Sequence, residues 1–109
     1  MVKQGDIIKI NFNPQSGHQQ AGYRPAVVIS NSVFNQKTNL TIACPITNTK
    51  RGFPLHVELD GRTQTTGVIM CEHIKSLDLN AREHRFVEKL PTDLLQKVID
   101  IVFAEVETE

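Results

Sequence analysis

The sequence predicts a mainly β domain that ends in one α-helix, with a small, strongly bent antiparallel sheet or barrel capped by that helix. Short segments rich in β-branched residues alternate with polar connections that contain Gly or Pro along most of the chain. From Pro91 onward the apolar spacing changes to that of a helix. The length of 109 residues fits a single domain over residues 1–109. These observations favour a sheet whose strands precede a helical cap.

The first half of the chain predicts three strands. GDIIKINFNP (5–14) alternates apolar and polar positions, which is typical of a half-buried strand. A long polar loop (13–23) follows, and RPAVVIS (24–30) is a continuous apolar run that indicates a more buried strand. VFNQKTN (33–39) is expected to be a polar connection before the strand LTIACPIT (40–47). Because proline cannot donate to a ladder, we expect Pro45 at a strand end, an edge or a bulge.

The second half predicts the remaining strands and the helix. LHVEL (55–59) alternates, VIMCEHIKSLDL (68–79) suits one long strand or two joined by a bend, and RFVEKL (85–90) is a short strand. In residues 91–106 one helical stripe is apolar: Leu94, Leu95, Val98, Ile101 and Val102. Pro91 suits the helix start, and Asp93 suits the positive end of the helix dipole.

Composition limits the function classes. With 39% hydrophobic and 22% charged residues the chain is an ordinary folded domain, whose small core a dimer would supplement. The net charge of +0 argues against a protein that grips duplex DNA by a basic face, but it leaves room for a small nucleic-acid site. Cys44 and Cys71 lie in apolar stretches without metal-ligand spacing, so we expect buried free thiols. The N-terminus lacks an apolar segment and no run suits a membrane span, so we expect a cytoplasmic protein.

No standard catalytic motif is present, and the residues that could carry chemistry are few. The histidines are scattered without metal-ligand spacing, so we expect surface or structural roles and neither a metal nor a cofactor; they are His18, His56, His73 and His84. Arg24 is held in extended geometry by Pro25 and could grip a phosphate with its fork, or simply cap a strand. Thr47 could orient a phosphate or satisfy a local turn.

Six segments, taken in order, resemble the MazF/PemK family of toxin endoribonucleases from type II toxin–antitoxin systems. They cover nearly the whole chain: GDIIKINFNP, GHQQAGYRPAVVIS, ACPITNT, FPLHVEL, GVIMCEHIKSLD and the closing helix. The pattern G-x-x-Q-x-G-x-R-P-x-x-V is the most specific of these features. The resemblance implies a small SH3-like barrel of the MazF/CcdB type, with strands followed by one terminal α-helix, and a homodimer.

The resemblance also implies an activity. Family members cleave single-stranded RNA, mostly mRNA, without a metal, by attack of the 2′-hydroxyl, which leaves a 2′,3′-cyclic phosphate and a 5′-hydroxyl. Arg24 and Thr47 match the catalytic residues of the family. The RNA-binding candidates are Gln19, Gln20, Lys50, Arg51, Glu72 and His73.

The chain departs from the family pattern at two positions. Gln19 stands where many relatives carry Glu, and an amide cannot act as a general base. His18, which is adjacent, is a possible base because histidine titrates near neutrality. His73 replaces a Gln, so the sequence preference for RNA is expected to differ.

The resemblance implies partners and leaves alternatives. A cognate antitoxin with a disordered acidic tail would cover the RNA site, and the pair would bind DNA together. One alternative is a toxin on the same fold that binds a protein such as DNA gyrase, as CcdB does; that relative relies on a C-terminal tryptophan, which this chain lacks. Another is an SH3-like peptide-binding module, which needs more aromatic residues than the 6% found here.

Overall fold

A computed structural model describes residues 1–12, 23–49 and 52–109 of the chain. Within these residues seven strands precede the C-terminal helix, as the sequence predicts. The elements are β1 (Asp6–Asn11), β2 (Tyr23–Val28), α1 (Ser32–Thr38), β3 (Thr41–Thr47), β4 (His56–Glu58), β5 (Val68–Met70), β6 (Lys75–Leu77), a 3₁₀ turn (Leu79–Ala81), β7 (His84–Lys89) and α2 (Thr92–Val106).

The strands form one antiparallel sheet in the order β4-β5-β3-β2-β1-β7, and β6 also pairs with β3. Segment 68–79 is therefore two strands joined by a bend, which was one of the two predicted forms. β5 pairs with Ile46 and Thr47 at one end of β3, and β6 pairs with residues 41–43 at the other end. The bend between β5 and β6 thus lies beside the middle of β3.

A side chain links the edge strand β7 to the loop that follows the other edge strand, β4. No ladder connects β4 with β7 in the part of the chain that the structure describes. Instead, the carboxylate of Glu88 on β7 accepts hydrogen bonds from the backbone N–H groups of Gln64 and Thr65, at 3.1 and 2.8 Å. Both donors belong to the 60–67 loop, the segment between β4 and β5. This link holds the curved sheet in a barrel-like shape without a continuous ladder.

Each face of the sheet has its own apolar cluster, because alternate residues of a strand point to opposite sides. On one face, Ile7, Val27 and Ile69 pack with Leu94 and Val98 of α2, and all five are buried. The predicted helical stripe is confirmed, since its other members are half-buried against the same cluster. The opposite face has a smaller cluster formed by Ile8, Ile10, Ala26, Val28, Ala43 and Leu77.

Helix α1 was not predicted, because segment 33–39 was expected to be a polar connection. Two asparagines account for the helix. The side chain of Asn31 accepts a hydrogen bond from the N–H of Phe34 at 2.9 Å and caps the N-terminus. Asn39 ends the helix in the left-handed region with φ of 59°, which asparagine tolerates better than most residues. The helix thus depends on its caps more than on an apolar stripe.

Of the strand end, edge or bulge expected at Pro45, the strand end and the edge were wrong. Pro45 lies inside β3, a central strand, where its Cα partner on β2 is Ala26. On the other side of β3, the described pairing with β6 stops at Ala43 and the pairing with β5 resumes at Ile46. Proline is tolerated because it falls where the partner strand bends away and no ladder bond is required.

The two cysteines are free and buried, as predicted. Both Cys44 and Cys71 belong to the cluster that packs against α2. Burial raises the pKa of each thiol to about 12, so both remain protonated near neutral pH. Among the described helices, none has the length and apolar character needed to cross a bilayer.

Candidate functional site

Arg24 lies on β2 and Thr47 on the adjacent strand β3. The ladder between β2 and β3 pairs Ala26 with Pro45. This pair is the last of the ladder, and Arg24 and Thr47 each lie two residues beyond it, toward the same end of the two strands. Neighbouring strands are about 4.8 Å apart, and residues two apart in a strand share a face. The sheet therefore presents a guanidinium and a hydroxyl on one face, near the start of β2 and the end of β3.

The backbone of Arg24 is fixed by β1, where its Cα partner is Ile10. Its side chain is exposed. Within residues 1–12, 23–49 and 52–109, the guanidinium forms no ion pair and donates no hydrogen bond to a carbonyl. Among the described residues, no contact supports the strand-capping interpretation, and none occupies the guanidinium fork.

The hydroxyl of Thr47 is oriented by the turn that follows β3. Its Oγ1 accepts a hydrogen bond from the backbone N–H of Thr49 at 3.2 Å. This contact is the local turn bond that the sequence allowed as an alternative. Because the oxygen acts as acceptor there, the hydroxyl hydrogen remains able to donate to another oxygen. The two interpretations of Thr47 are therefore compatible.

Beside Thr47 a cleft of about 460 Å³ opens at the junction of β3, β4 and β5. Glu72 and His73 reach it from the bend after β5, so the structure joins these predicted residues to Thr47. The lining is Thr47, Thr49, Phe53, His56, Met70, Glu72 and His73.

A larger cavity of about 590 Å³ lies elsewhere, lined by Lys9, Tyr23, Glu83, His84 and Arg85. None of the predicted catalytic or RNA-binding residues lines it. Within it, the hydroxyl of Tyr23 forms a hydrogen bond with Glu83 at 2.7 Å. The smaller cleft, by contrast, contains three of the predicted site residues, Thr47, Glu72 and His73. The cleft at Thr47 is therefore the stronger candidate.

His56, for which the sequence predicts a surface or structural role, also lies in this cleft. His56 Nε2 is 2.9 Å from Glu72 Oε2, and the exposed fractions of the two side chains are 6% and 24%. Phe53 packs edge-on against the imidazole, with ring centroids 5.3 Å apart. His56 and Glu72 are 16 residues apart in the chain, and only the pairing of β4 with β5 brings them together. Local pattern therefore offered no signal for this contact.

The carboxylate of Glu72 stays ionised near neutral pH. Partial burial acts to raise its pKa, but the hydrogen bond from His56, a backbone hydrogen bond and the neighbouring imidazoles outweigh burial and lower the pKa below its ordinary value. An ionised carboxylate can only accept, so His56 Nε2 is the donor in this pair. His73 Nε2 lies 3.6 Å from the same oxygen. His56 Nδ1 and Glu72 Oε1 are buried without hydrogen-bond partners.

The other predicted residues lie outside the described ranges: His18, Gln19, Gln20, Lys50 and Arg51. Their assigned roles remain predictions. Across the ranges that are described, no group of three or more His, Cys, Asp or Glu side chains is arranged to hold a metal ion.

Comparison with known proteins places the chain in a family. The model of the family described as PemK-like, MazF-like toxin of type II toxin–antitoxin system matches residues 3–103. The endoribonuclease toxin MazF of Escherichia coli is 40% identical over 78 residues, which are 72% of this chain and 69% of that protein.

Crystal structures from Deinococcus radiodurans are also similar. MazF (Form-I) has a TM-score of 0.85 at 34% identity, covering 98% of this chain and 97% of that one. MazE-MazF (Form-III) has a TM-score of 0.87 at 31% identity, covering 99% and 98%. The chain therefore belongs to the PemK-like, MazF-like family of toxins of type II toxin–antitoxin systems.

Proposed function

We propose that this chain is an endoribonuclease toxin that cuts single-stranded RNA, chiefly mRNA, at short sequence motifs and so inhibits translation and growth. Its similarity to the endoribonuclease toxin MazF of Escherichia coli supports the activity. The observation that supports the proposal is the pairing of β2 with β3, because Arg24 and Thr47 each lie two residues beyond its last pair and Thr47 lines a cleft.

The proposed reaction is an internal displacement at phosphorus. The RNA 2′-oxygen loses its proton and bonds to the adjacent phosphorus, and the bond from phosphorus to the 5′-oxygen breaks as that oxygen gains a proton. The products are a 2′,3′-cyclic phosphate and a 5′-hydroxyl. Negative charge builds on the non-bridging oxygens as phosphorus becomes pentacoordinate. A preorganised cation beside those oxygens stabilises this charge in the transition state.

Arg24 supplies that cation. Its charge is permanent, and its planar fork can bond two phosphate oxygens at once. The backbone that carries it is rigid, because β2 lies between β1 and β3 in the sheet. We propose that cleavage needs no metal ion, since the guanidinium provides the charge stabilisation that a bound cation would otherwise supply.

Thr47 acts by positioning. Its hydroxyl hydrogen donates to a phosphate oxygen while its oxygen accepts from the N–H of Thr49. Holding the phosphate in line with the 2′-oxygen lowers the entropic part of the barrier. Gln19 cannot accept the proton of the 2′-hydroxyl, because an amide is not a base at neutral pH. The adjacent His18 is the candidate general base.

The cleft next to Thr47 suits a base of the RNA. Single-stranded RNA is read by bases that leave the stack, pack on aromatic rings and form hydrogen bonds through their edges. Phe53 lines the cleft and is 44% exposed, and the ionised Glu72 offers an acceptor to a base N–H donor. His73 adds a polar group at the rim. Gln20, Lys50 and Arg51 complete the proposed RNA surface.

We further propose a homodimer and a cognate antitoxin in the cytoplasm. The Deinococcus radiodurans structures include MazE-MazF pairs, which support an antitoxin partner here. An acidic, disordered tail that folds on binding could neutralise Arg24 and block the cleft.

The test is cleavage of a long RNA in EDTA, with the new ends mapped. Wild-type protein is expected to leave cyclic phosphate and 5′-hydroxyl ends. Arg24→Ala should lose about 10²–10³-fold in rate, as removal of one charge-stabilising donor does elsewhere. Arg24→Lys should recover only part of it, because the charge remains but the fork is lost.

Two further variants sharpen the assignment. Thr47→Ala should slow cleavage without preventing folding, because its side chain is only half-buried. Arg85→Ala on β7 is the matched control, since it removes an exposed arginine outside the proposed site. Absence of cleavage by the wild type would refute the activity, and an Arg24→Ala variant as fast as Arg85→Ala would refute the site.

A further inference from the structure

The turn that carries Thr47 is braced by the 60–67 loop. Gly67 has φ of +115°, a conformation that side chains other than hydrogen rarely adopt. A Cβ at this position would lie 2.2 Å from the carbonyl oxygen of Thr47 and 2.8 Å from its carbonyl carbon. Only a glycine lets the loop backbone approach Thr47 this closely.

A second contact joins the same two segments. The hydroxyl of Thr66 donates a hydrogen bond to Asn48 Oδ1 at 2.8 Å. Asn48 directly follows Thr47. Val68, which directly follows Gly67 and begins β5, is the Cα partner of Thr47 in the ladder of β3 with β5. Three consecutive residues, 66 to 68, therefore contact the end of β3 and the turn after it.

The loop can act as a brace because it is itself anchored. Glu88 accepts from the backbone of Gln64 and Thr65 and from the hydroxyl of Thr65 at 2.7 Å. Arg62 forms two hydrogen bonds with Asp93 at the start of α2, at 2.9 and 3.0 Å. The carbonyl of Gly67 accepts from the N–H of Leu59 at 2.9 Å. These anchors connect the brace to the far strand of the sheet and to the helix.

We infer that Gly67 and Thr66 are positioning residues for RNA cleavage. They hold the end of β3 in place, so that the Thr47 hydroxyl can reach the scissile phosphate. This inference rests on the proposed function. Ordinary contact begins at 3.4 Å, so a methyl group at Gly67 would displace the Thr47 carbonyl by about 1 Å. Misplacing a catalytic group by about 1 Å can cost on the order of 10²-fold in rate.

The first test is steady-state cleavage kinetics of Gly67→Ala. We expect kcat to fall by on the order of 10²-fold with KM little changed, because the RNA-binding surface stays in place. Gly61→Ala is the matched control, since this glycine lies in the same loop, has no positive φ, and a Cβ there would point into open space. It is expected to keep the wild-type kcat.

The second test uses the exposed Thr66, where substitution should not impair folding. Thr66→Val keeps the shape but removes the hydroxyl, so kcat should fall severalfold, and Thr66→Ser should restore it. A wild type that cleaves while Thr66→Val keeps full kcat, or changes only KM, overturns the positioning inference and leaves the proposed function standing. A folded Gly67→Ala with wild-type kcat overturns it equally. A wild type that cleaves no RNA overturns both.

Discussion

The pair formed by His56 and Glu72 allows a quantitative prediction about stability. The perturbation is His56→Leu, which keeps an apolar side chain of similar bulk but removes the Nε2 donor that lies 2.9 Å from Glu72 Oε2. His56→Gln is the matched control, because its amide N–H can still donate to the carboxylate.

Three contributions decide the magnitude. Loss of a hydrogen bond to a charged group costs about 1.5–3 kcal/mol. Solvent recovers part of this cost, since the Glu72 side chain is 24% exposed. Removing the imidazole also removes the buried Nδ1, which has no hydrogen-bond partner in the folded state, and this change offsets part of the loss of stability. We therefore expect a net loss of about 1–2 kcal/mol in the free energy of unfolding, or a fall of about 4–10 °C in Tm for a domain of this size.

The pH dependence gives a second check. The folded-state pKa of Glu72 is lower than its ordinary value of 4.5, so the ionised carboxylate stabilises the fold above that value. The contribution is lost as the pH falls through the folded pKa. The stability difference between wild type and His56→Leu should thus be full at pH 7 and should shrink in acid.

The assay is urea unfolding at pH 7, 5 and lower values, for the wild type, His56→Leu and His56→Gln. Two results would refute the reasoning. One is a His56→Leu variant as stable as His56→Gln at pH 7. The other is a difference between wild type and His56→Leu that does not diminish in acid.

The remaining predictions concern other parts of the molecule. If His18 is the general base, His18→Ala should abolish the acidic limb of the pH–rate profile of RNA cleavage; an unchanged profile would remove it from the mechanism. Cys44 and Cys71, with pKa values of about 12, should resist alkylation in the folded protein and react after unfolding, and rapid labelling of the native state would contradict their burial. At Asn39, with φ of 59°, replacement by Ala should destabilise the fold by about 1 kcal/mol relative to replacement by Gly, as measured by urea unfolding. Equal stability of those two variants would show that the left-handed cap is not retained.

The sequence alone determined the features that depend on local periodicity. Alternation in 5–14 predicted β1, and the apolar stripe from Leu94 to Val102 predicted α2 with its buried face. The family followed from segments spread along the chain, and the comparisons confirm it. Arg24 and Thr47 were named because they match the catalytic residues of the family, and that assignment stays a prediction.

Tertiary structure decided the features that join residues distant in the chain. Whether Arg24 and Thr47 lie on the same side of the sheet depends on the register of β2 and β3, and a shift of one residue would turn one of them to the other side. The contact of His56 with Glu72 depends on the pairing of β4 with β5 and on the bend after β5. The contact of Glu88 with the loop between β4 and β5 has no local signature either. The physical reason is the same throughout: periodicity reports which face of an element is buried, whereas register and bends decide which side chains meet.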